Sequence, residues 1–156
     1  MPEGPEVKNM ILQLSKIIKN KQLNTIIINS GRYSKKSPDG FNDFIKQLPS
    51  KIIDVNCKGK FIYVELDNGY KIWNTLGMTG GWKKNKNKHS HLYFKFNDFE
   101  IYYEDVRNFG TFKFNNSKVD FDKKIKSLGI DIFSSDFNID YLKKILINKK
   151  IFHKKI

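Results

Sequence analysis

The amino terminus carries the residue types best suited to covalent chemistry. The chain opens Met1-Pro2-Glu3-Gly4-Pro5. Proline after the initiator is small enough for methionine removal, which would leave the secondary amine of Pro2 at the terminus. An unperturbed amine of this kind has a pKa of about 8, so part of it is neutral and nucleophilic at physiological pH.

Such an amine can attack C1′ of a nucleotide sugar, displace the base and form an iminium ion with a fixed positive charge. The iminium acidifies the C2′ proton, and loss of that proton leads to β-elimination of the 3′ phosphate. Glu3, beside the nucleophile, could shuttle the proton that opens the ribose ring. Pro2 and Glu3 are also compatible with a plain helix start, and this alternative stays open on these residues alone.

A helix placed directly after these residues would hold them rigidly. Pro5 suits the first helical turn, and Glu6 is favourable near the positive end of the helix dipole. Apolar residues then recur at helical spacing: Val7, Met10, Ile11, Leu14, Ile17 and Ile18. We therefore expect an amphipathic helix that begins at about Pro5 and directs its positive end toward phosphate.

From Gln22 onward the pattern changes to β-branched and aromatic segments. Strands are predicted at 23–29, 52–57, 61–66, 70–76, 92–96, 99–104 and 111–114, with short helices at 41–48 and 120–127. Turn residues at 67–69 and 97–98 favour tight antiparallel hairpins. Several strands joined in this way indicate a β-sandwich or a β-barrel.

The composition favours a polyanionic partner. The 156 residues include 29 Lys+Arg and 16 Asp+Glu, a net charge of +13, and 39% of residues are hydrophobic. This length fits one domain, and the chain is too apolar for a disordered basic tail. Nucleic acid is the first candidate partner, although the lysines could instead coat a solvated surface. The two arginines, Arg32 and Arg107, are better suited than lysine to bidentate contacts.

Several protein classes are not expected. The sequence shows neither a membrane span nor a signal peptide, so a soluble, intracellular protein without membrane contact is predicted. The single cysteine, Cys57, excludes an intrachain disulfide framework and a zinc site with two or more cysteines from this chain. The basic segment 83–91 is either a solvated hairpin tip or a loop that follows phosphates. His89 and His91 within it make only a weak metal site, and none is predicted.

Five segments, in order, resemble motifs of the Fpg/Nei family of formamidopyrimidine-DNA and endonuclease VIII glycosylases. Residues 2–7 (PEGPEV) resemble PE(L/G)PEV, and 57–61 (CKGKF) resemble the basic GK(Y/F) segment. Residues 76–80 (LGMTG) are similar to HLGM(S/T)G, and 105–110 (DVRNFG) to DxRRFG. Residues 128–131 (LGID) resemble LGPEP more loosely. The chain is identified as a member of this family on these motifs.

The resemblance implies a mainly β (α+β) fold: a two-sheet antiparallel β-sandwich over 1–133, with an N-terminal catalytic helix and short flanking helices. It implies a bifunctional DNA glycosylase and abasic-site lyase acting on damaged double-stranded DNA. Pro2 and Glu3 would be catalytic, and Lys60 would assist catalysis and contact the DNA backbone. Met78, Arg107 and Phe109 would fill the void left by the flipped-out nucleotide. The alternatives are core packing for Met78 and Phe109, and a surface salt bridge for Arg107.

The match departs from the family pattern in three places and at the carboxyl end. The family commonly has histidine at the position of Thr75 and arginine at the positions of Lys58 and Asn108. The phosphate contacts that the family makes at these positions are therefore in doubt for this chain. Residues 134–156 resemble the linker helix that leads into a helix-two-turn-helix domain, but no GIGN turn and no zinc finger follow. No cofactor is therefore expected. The alternative function is a non-catalytic DNA-binding remnant, or one half of a split glycosylase that needs a separate chain.

Overall fold

A computed structural model describes residues 2–129 of the chain. The helices and strands alternate irregularly along this range, with most of the regular structure in strands. In chain order they are α1 (Gly4–Ile18), β1 (Gln22–Ile28), α2 (Phe41–Ile45), β2 (Ser50–Lys58), β3 (Phe61–Leu66), β4 (Lys71–Thr75), β5 (Gly80–Lys83), β6 (Ser90–Phe96), β7 (Glu100–Asp105), β8 (Thr111–Asn115) and α3 (Lys118–Ser127).

Helix α1 forms as its spacing predicts and begins one residue before Pro5. Glu3 is the N-cap residue, and the Val7 amide donates to the Glu3 carbonyl oxygen at 2.9 Å in the first helical turn. The buried stripe of the helix packs along β2 and consists of Val7, Ile11, Leu14 and Ile18. Burial of this apolar face stabilises the helix, which in turn fixes the position of the amino terminus.

The strands form two four-stranded antiparallel sheets that are joined at one corner. Their order is β5-β7-β6-β1 in the first sheet and β2-β3-β4-β8 in the second. Strands β1 and β2 connect the sheets through only two paired positions, Gln22 with Lys51 and Leu23 with Ser50. All other pairings lie within one sheet, so the sheets can fold over each other.

The inner faces of the two sheets pack together through aromatic side chains. The Trp82 ring from β5 lies 5.8 Å from the Phe112 ring of β8, and its indole nitrogen donates to Asn74 Oδ1 of β4 at 3.0 Å. Tyr103 of β7 packs edge-on against Phe112 at 4.7 Å. These contacts confirm the predicted two-sheet antiparallel β-sandwich.

The seven strands and two short helices predicted from the sequence are present, with small shifts of their ends. Strand β5 was not predicted, and Ser90 and His91 belong to β6 rather than to the preceding loop. Of the helices in the described range, none is long and apolar enough to cross a membrane. The predicted linker helix at 134–156, and the end of the predicted domain at 130–133, lie outside the described residues.

The strand directions bring several connections to one end of the sandwich. At this end lie the β2–β3 turn (59–60), the β4–β5 loop (76–79) and the β7–β8 loop (106–110). The pairs Lys58 with Phe61, Thr75 with Thr111, and Gly80 with Asp105 mark the ends of the strands beneath them. Apart from Pro2 and Glu3, which precede helix α1, every predicted site residue lies on one of these connections.

Candidate active site

Glu3 and Lys60 form an ion pair at this end of the sandwich. Lys60 lies in a two-residue hairpin turn whose first residue, Gly59, has a φ of +59°, a conformation that glycine adopts without strain. The turn brings Lys60 Nζ to 3.4 Å from Glu3 Oε2. The side chains are 43% and 66% exposed, so both can also reach a ligand.

The position of Glu3 bears on whether it is only a helix-start residue. It is the N-cap of α1, yet its side chain makes no capping hydrogen bond. The carboxylate lies toward Lys60 instead, close to the positive end of the helix dipole. Pro2 is the adjoining residue and is half-buried. The three residues predicted to be catalytic are therefore brought to one place by α1 and the β2–β3 turn.

Met78 and Phe109 are exposed apolar residues. Met78 is 44% and Phe109 56% exposed, so the alternative in which they pack in the core is wrong. Exposed apolar side chains on adjoining loops are common at interaction sites. Arg107 is also exposed, and no acidic residue of 2–129 forms an ion pair with it. The surface salt bridge considered for Arg107 is absent from this range.

The loops that carry these three side chains touch each other through their backbones. Gly77 has a φ of +59°, and a Cβ at this position would lie 2.7 Å from the carbonyl carbon of Phe109. A side chain would therefore force the loops apart. We call residues 76–79 and 106–110 the paired loops. They form one surface because β4 and β8 are neighbours at their base, and this surface lies at the same end of the sandwich as the Glu3–Lys60 pair, since β3 pairs with β4.

The positions where the sequence departs from the family pattern have structural partners. Lys58 donates through Nζ to the Ile125 carbonyl oxygen at 3.1 Å, near the end of α3. The Thr75 and Thr111 hydroxyl oxygens are 2.6 Å apart. Asn108 has a φ of +58°, a left-handed conformation that asparagine tolerates better than arginine. Lys58 thus holds α3 in place, and Asn108 shapes its loop.

Other side chains near the paired loops are occupied by structural contacts. Arg32 donates through Nη1 to the Gly110 carbonyl oxygen at 3.2 Å. The ring of His91 is buried and uses both nitrogens, with Ser30 Oγ at 2.8 Å from Nδ1 and the Asp105 carbonyl oxygen at 2.7 Å from Nε2. Within residues 2–129, no group of three or more His, Cys, Asp or Glu side chains could hold a metal ion.

Neither Thr79 nor Asp105 is among the site residues predicted from the sequence. Both lie inside segments that resemble family motifs, and Asp105 is buried, with 2% of its surface exposed. The Arg107 amide donates to Thr79 Oγ1 at 2.8 Å. Asp105 is distinguished by being a buried carboxylate next to an exposed apolar loop. The motif alone does not reveal that burial.

The β5–β6 loop carries positive charge from the side of helix α1, where Lys84 lines a groove with Leu14 and Ile17, back toward the candidate site. It carries the exposed residues Lys84, Lys86 and Lys88. The loop returns to the paired loops at its end, where the Asp105 amide donates to the His89 carbonyl oxygen at 3.1 Å. The lysines are thus connected to the candidate site by a short stretch of ordered chain.

Comparison with known proteins agrees with the motif analysis. The family model described as "Formamidopyrimidine-DNA glycosylase N-terminal domain" matches residues 1–112. The chain is 33% identical to the formamidopyrimidine-DNA glycosylase of Wolbachia sp. subsp. Brugia malayi, over 97% of the chain and 57% of the relative. It is 35% identical to that of Mycoplasma mobile, over 100% of the chain and 58% of the relative. The chain thus spans little more than half the length of these relatives.

Solved structures show the same similarity. A complex of the LlFpg protein with a THF-DNA and an inhibitor superposes with a TM-score of 0.70 and 27% identity, over 80% of this chain and 48% of that one. The wild-type Lactococcus lactis Fpg (MutM) bound to DNA containing an oxidised pyrimidine gives a TM-score of 0.69 at the same identity and coverage. Both neighbours were solved with DNA.

Proposed function

Since this chain belongs to the formamidopyrimidine-DNA glycosylase family, we propose that it removes oxidised bases from duplex DNA and cleaves the strand at the resulting abasic site. The observation that carries the proposal is the Glu3–Lys60 pair beside Pro2, next to a surface of exposed apolar side chains. Named relatives are formamidopyrimidine-DNA glycosylases, and the structural neighbours hold a THF-DNA or DNA that contains an oxidised pyrimidine, which supports the same substrate class.

The reaction begins at the amine of Pro2 after removal of Met1. The nitrogen forms a bond to C1′ of the damaged nucleotide, while the bond from C1′ to the base breaks and its electron pair leaves with the base. Glu3 takes the proton that the Pro2 nitrogen loses and passes it to the ring oxygen, and the nitrogen lone pair then opens the ribose ring to give the iminium. Loss of the C2′ proton then expels the 3′ phosphate, and water releases the amine from the remaining sugar.

Glu3 and Lys60 have complementary parts in this scheme. The Glu3 carboxylate is next to Pro2 in sequence and exposed, so it can reach the sugar oxygen that gains a proton. Lys60 carries the positive charge that a DNA phosphate would meet at this end of the sandwich. When phosphate approaches, Lys60 can exchange its contact with Glu3 for one with DNA, because both partners are solvent-exposed and the ion pair is weak.

The paired loops supply the surface for nucleotide flipping. A damaged base inside a duplex cannot reach Pro2, so it must leave the stack and the space must be filled. Met78 and Phe109 present exposed apolar side chains that can stack in this space. Arg107, which has no acidic partner in the described range, can hydrogen-bond the base left opposite the lesion.

Borohydride trapping tests the proposal directly. The full chain, processed to Pro2, is incubated at low salt with duplexes that contain an abasic site or an oxidised base. We expect a covalent adduct that disappears when an extra residue precedes Pro2. A folded chain that binds DNA without forming an adduct would contradict the enzymatic function and favour DNA binding without catalysis.

The role of Glu3 has a matched control on the same helix. Glu3→Gln should lower base excision about a hundredfold to ten-thousandfold, because general acid–base groups contribute on that scale. DNA binding should stay nearly unchanged. Glu6→Gln removes the same charge from an exposed residue of the first helical turn and should leave excision near the wild-type rate. Equal losses in the two variants would point to a general effect of charge on α1 instead.

A further inference from the structure

One buried carboxylate accepts hydrogen bonds from both of the paired loops. Asp105 Oδ1 accepts hydrogen bonds from the Thr79 hydroxyl at 2.6 Å and from the Asn108 amide at 3.2 Å. Asp105 Oδ2 accepts from the Gly110 amide at 2.8 Å, and the Tyr103 hydroxyl shares its one hydrogen between Asp105 Oδ2 at 3.5 Å and the Thr75 carbonyl oxygen at 3.4 Å. Thr79 belongs to one loop and the two amides to the other, so the carboxylate bridges them.

The Thr79 hydroxyl extends this bridge to the residue that carries the exposed guanidinium. Its oxygen accepts from the Arg107 amide at 2.8 Å, and its hydrogen is donated to Asp105. The direction of both bonds is fixed, because an amide can only donate and a carboxylate can only accept. The backbone of Arg107 is therefore tied through one hydroxyl to the carboxylate that also holds its own loop.

The Asp105 carboxylate carries its negative charge in the protein interior. No lysine or arginine of residues 2–129 forms an ion pair with Asp105, so the hydroxyl and amide donors compensate the charge. Burial raises the pKa of the Tyr103 hydroxyl, and the Asp105 charge adds to this effect, so Tyr103 remains a donor. Loss of any donor leaves the carboxylate poorly compensated, which makes the arrangement of the loops sharply defined.

We propose that Asp105 and Thr79 are positioning residues that couple the paired loops, so that Met78, Arg107 and Phe109 enter the DNA stack as one preorganised unit. The inference rests on the proposed function of the site. Coupling matters because a side chain that fills a void must already be in place when the nucleotide leaves. Independent loops would each have to be ordered at that moment, at an entropic cost.

The Thr79 hydroxyl can be removed with little change of shape. Thr79→Val should reduce the rate of adduct formation on a duplex with an abasic site by about tenfold to a hundredfold, the scale expected when a charge-assisted hydrogen bond is removed. Thr79→Ser keeps the hydroxyl and should restore most of the rate. Thr25→Val makes the same replacement in the half-buried middle of β1 and should leave the rate unchanged.

A single-stranded abasic oligonucleotide separates positioning from general damage. It offers the aldehyde to Pro2 but has no duplex stack to fill, so Thr79→Val should trap it at the wild-type rate. Asp105→Asn is a second variant. It replaces the acceptor near the Gly110 amide by either a donor or a reoriented oxygen, and it should show a similar duplex-specific loss if it folds.

The outcomes distinguish a failure of the proposed function from a failure of the coupling between the paired loops. If the wild-type chain traps neither substrate, the proposed function fails and the inference fails with it. If the wild-type chain traps DNA and Thr79→Val loses nothing, or loses both substrates equally, the coupling is wrong while the function stands. A duplex-specific loss that Thr79→Ser restores supports it.

Discussion

Gly77 and Gly59 share the same backbone conformation but differ in their surroundings, so a pair of alanine substitutions can measure how tightly the paired loops are packed. Both have a φ of +59°. A Cβ on Gly59 would meet no atom within 4 Å, whereas one on Gly77 would lie 2.7 Å from the carbonyl carbon of Phe109 and 2.8 Å from the Gly110 nitrogen. These neighbours are backbone atoms, which cannot rotate away.

The expected magnitudes follow from these two environments. Alanine in the left-handed backbone conformation costs about 1–2 kcal/mol, whereas its smaller freedom in the unfolded chain returns about 0.4–1 kcal/mol. Gly59→Ala should therefore lower the free energy of unfolding by about 1 kcal/mol. Gly77→Ala adds a packing cost of about 1–3 kcal/mol because the Phe109 backbone must move. Its total should be about 2–4 kcal/mol.

Urea unfolding followed by the fluorescence of Trp73 and Trp82 measures the difference. With a slope of about 2 kcal/mol per molar urea, Gly59→Ala should lower the midpoint by about 0.5 M and Gly77→Ala by about 1–2 M. Equal midpoints for the two variants would show that the paired loops are not in backbone contact, and the argument for one shared surface would fail.

Three further variants test other parts of the surface. Lys58→Met keeps the aliphatic stem but removes the hydrogen bond to the Ile125 carbonyl oxygen, and should lower the free energy of unfolding by about 1 kcal/mol in the same urea assay. The pKa of Asp67 is lowered from 3.8, first by the hydrogen bond from the Ser50 hydroxyl. The ionised Asp67 carboxylate therefore stabilises the fold above pH 3.8, and this stabilisation is lost as the pH falls through the lowered pKa. In urea unfolding at a series of pH values, Asp67→Asn should lose less stability on acidification than the wild-type chain. Glutamine in place of all three β5–β6 loop lysines should make DNA binding less dependent on salt, by about 0.9 in the log–log slope for each phosphate that the loop no longer neutralises, and an unchanged slope would identify the loop as a solvated tip.

The sequence predicted the architecture well where periodicity was strong. The apolar spacing of α1 and the β-branched runs of β1 and β3 place those elements correctly, because a buried face leaves a regular pattern. Strand β5 is only four residues long and begins with Gly80 and Gly81, both weak strand formers, so it carried no pattern of its own. Pairing with β7 and the burial of Trp82 between the sheets determine it.

The candidate site was predictable in residue type but not in geometry. The motifs identified Glu3 and Lys60 separately, yet nothing local to either residue indicates that a hairpin turn and a helix start bring them to 3.4 Å. Exposure of Met78 and Phe109 likewise depends on where the sheets end. Asp105 was not predicted because its carboxylate is bound by the backbone amides of Asn108 and Gly110. Backbone amides leave no pattern of side-chain types in the sequence.

At each of the paired loops the chain crosses between the sheets. Residues 76–79 connect β4 of one sheet to β5 of the other, and 106–110 return from β7 to β8. A folding intermediate with only one sheet formed would leave both crossings without an anchor on one side. The surface that carries Met78 and Phe109 therefore forms only when both sheets are in place.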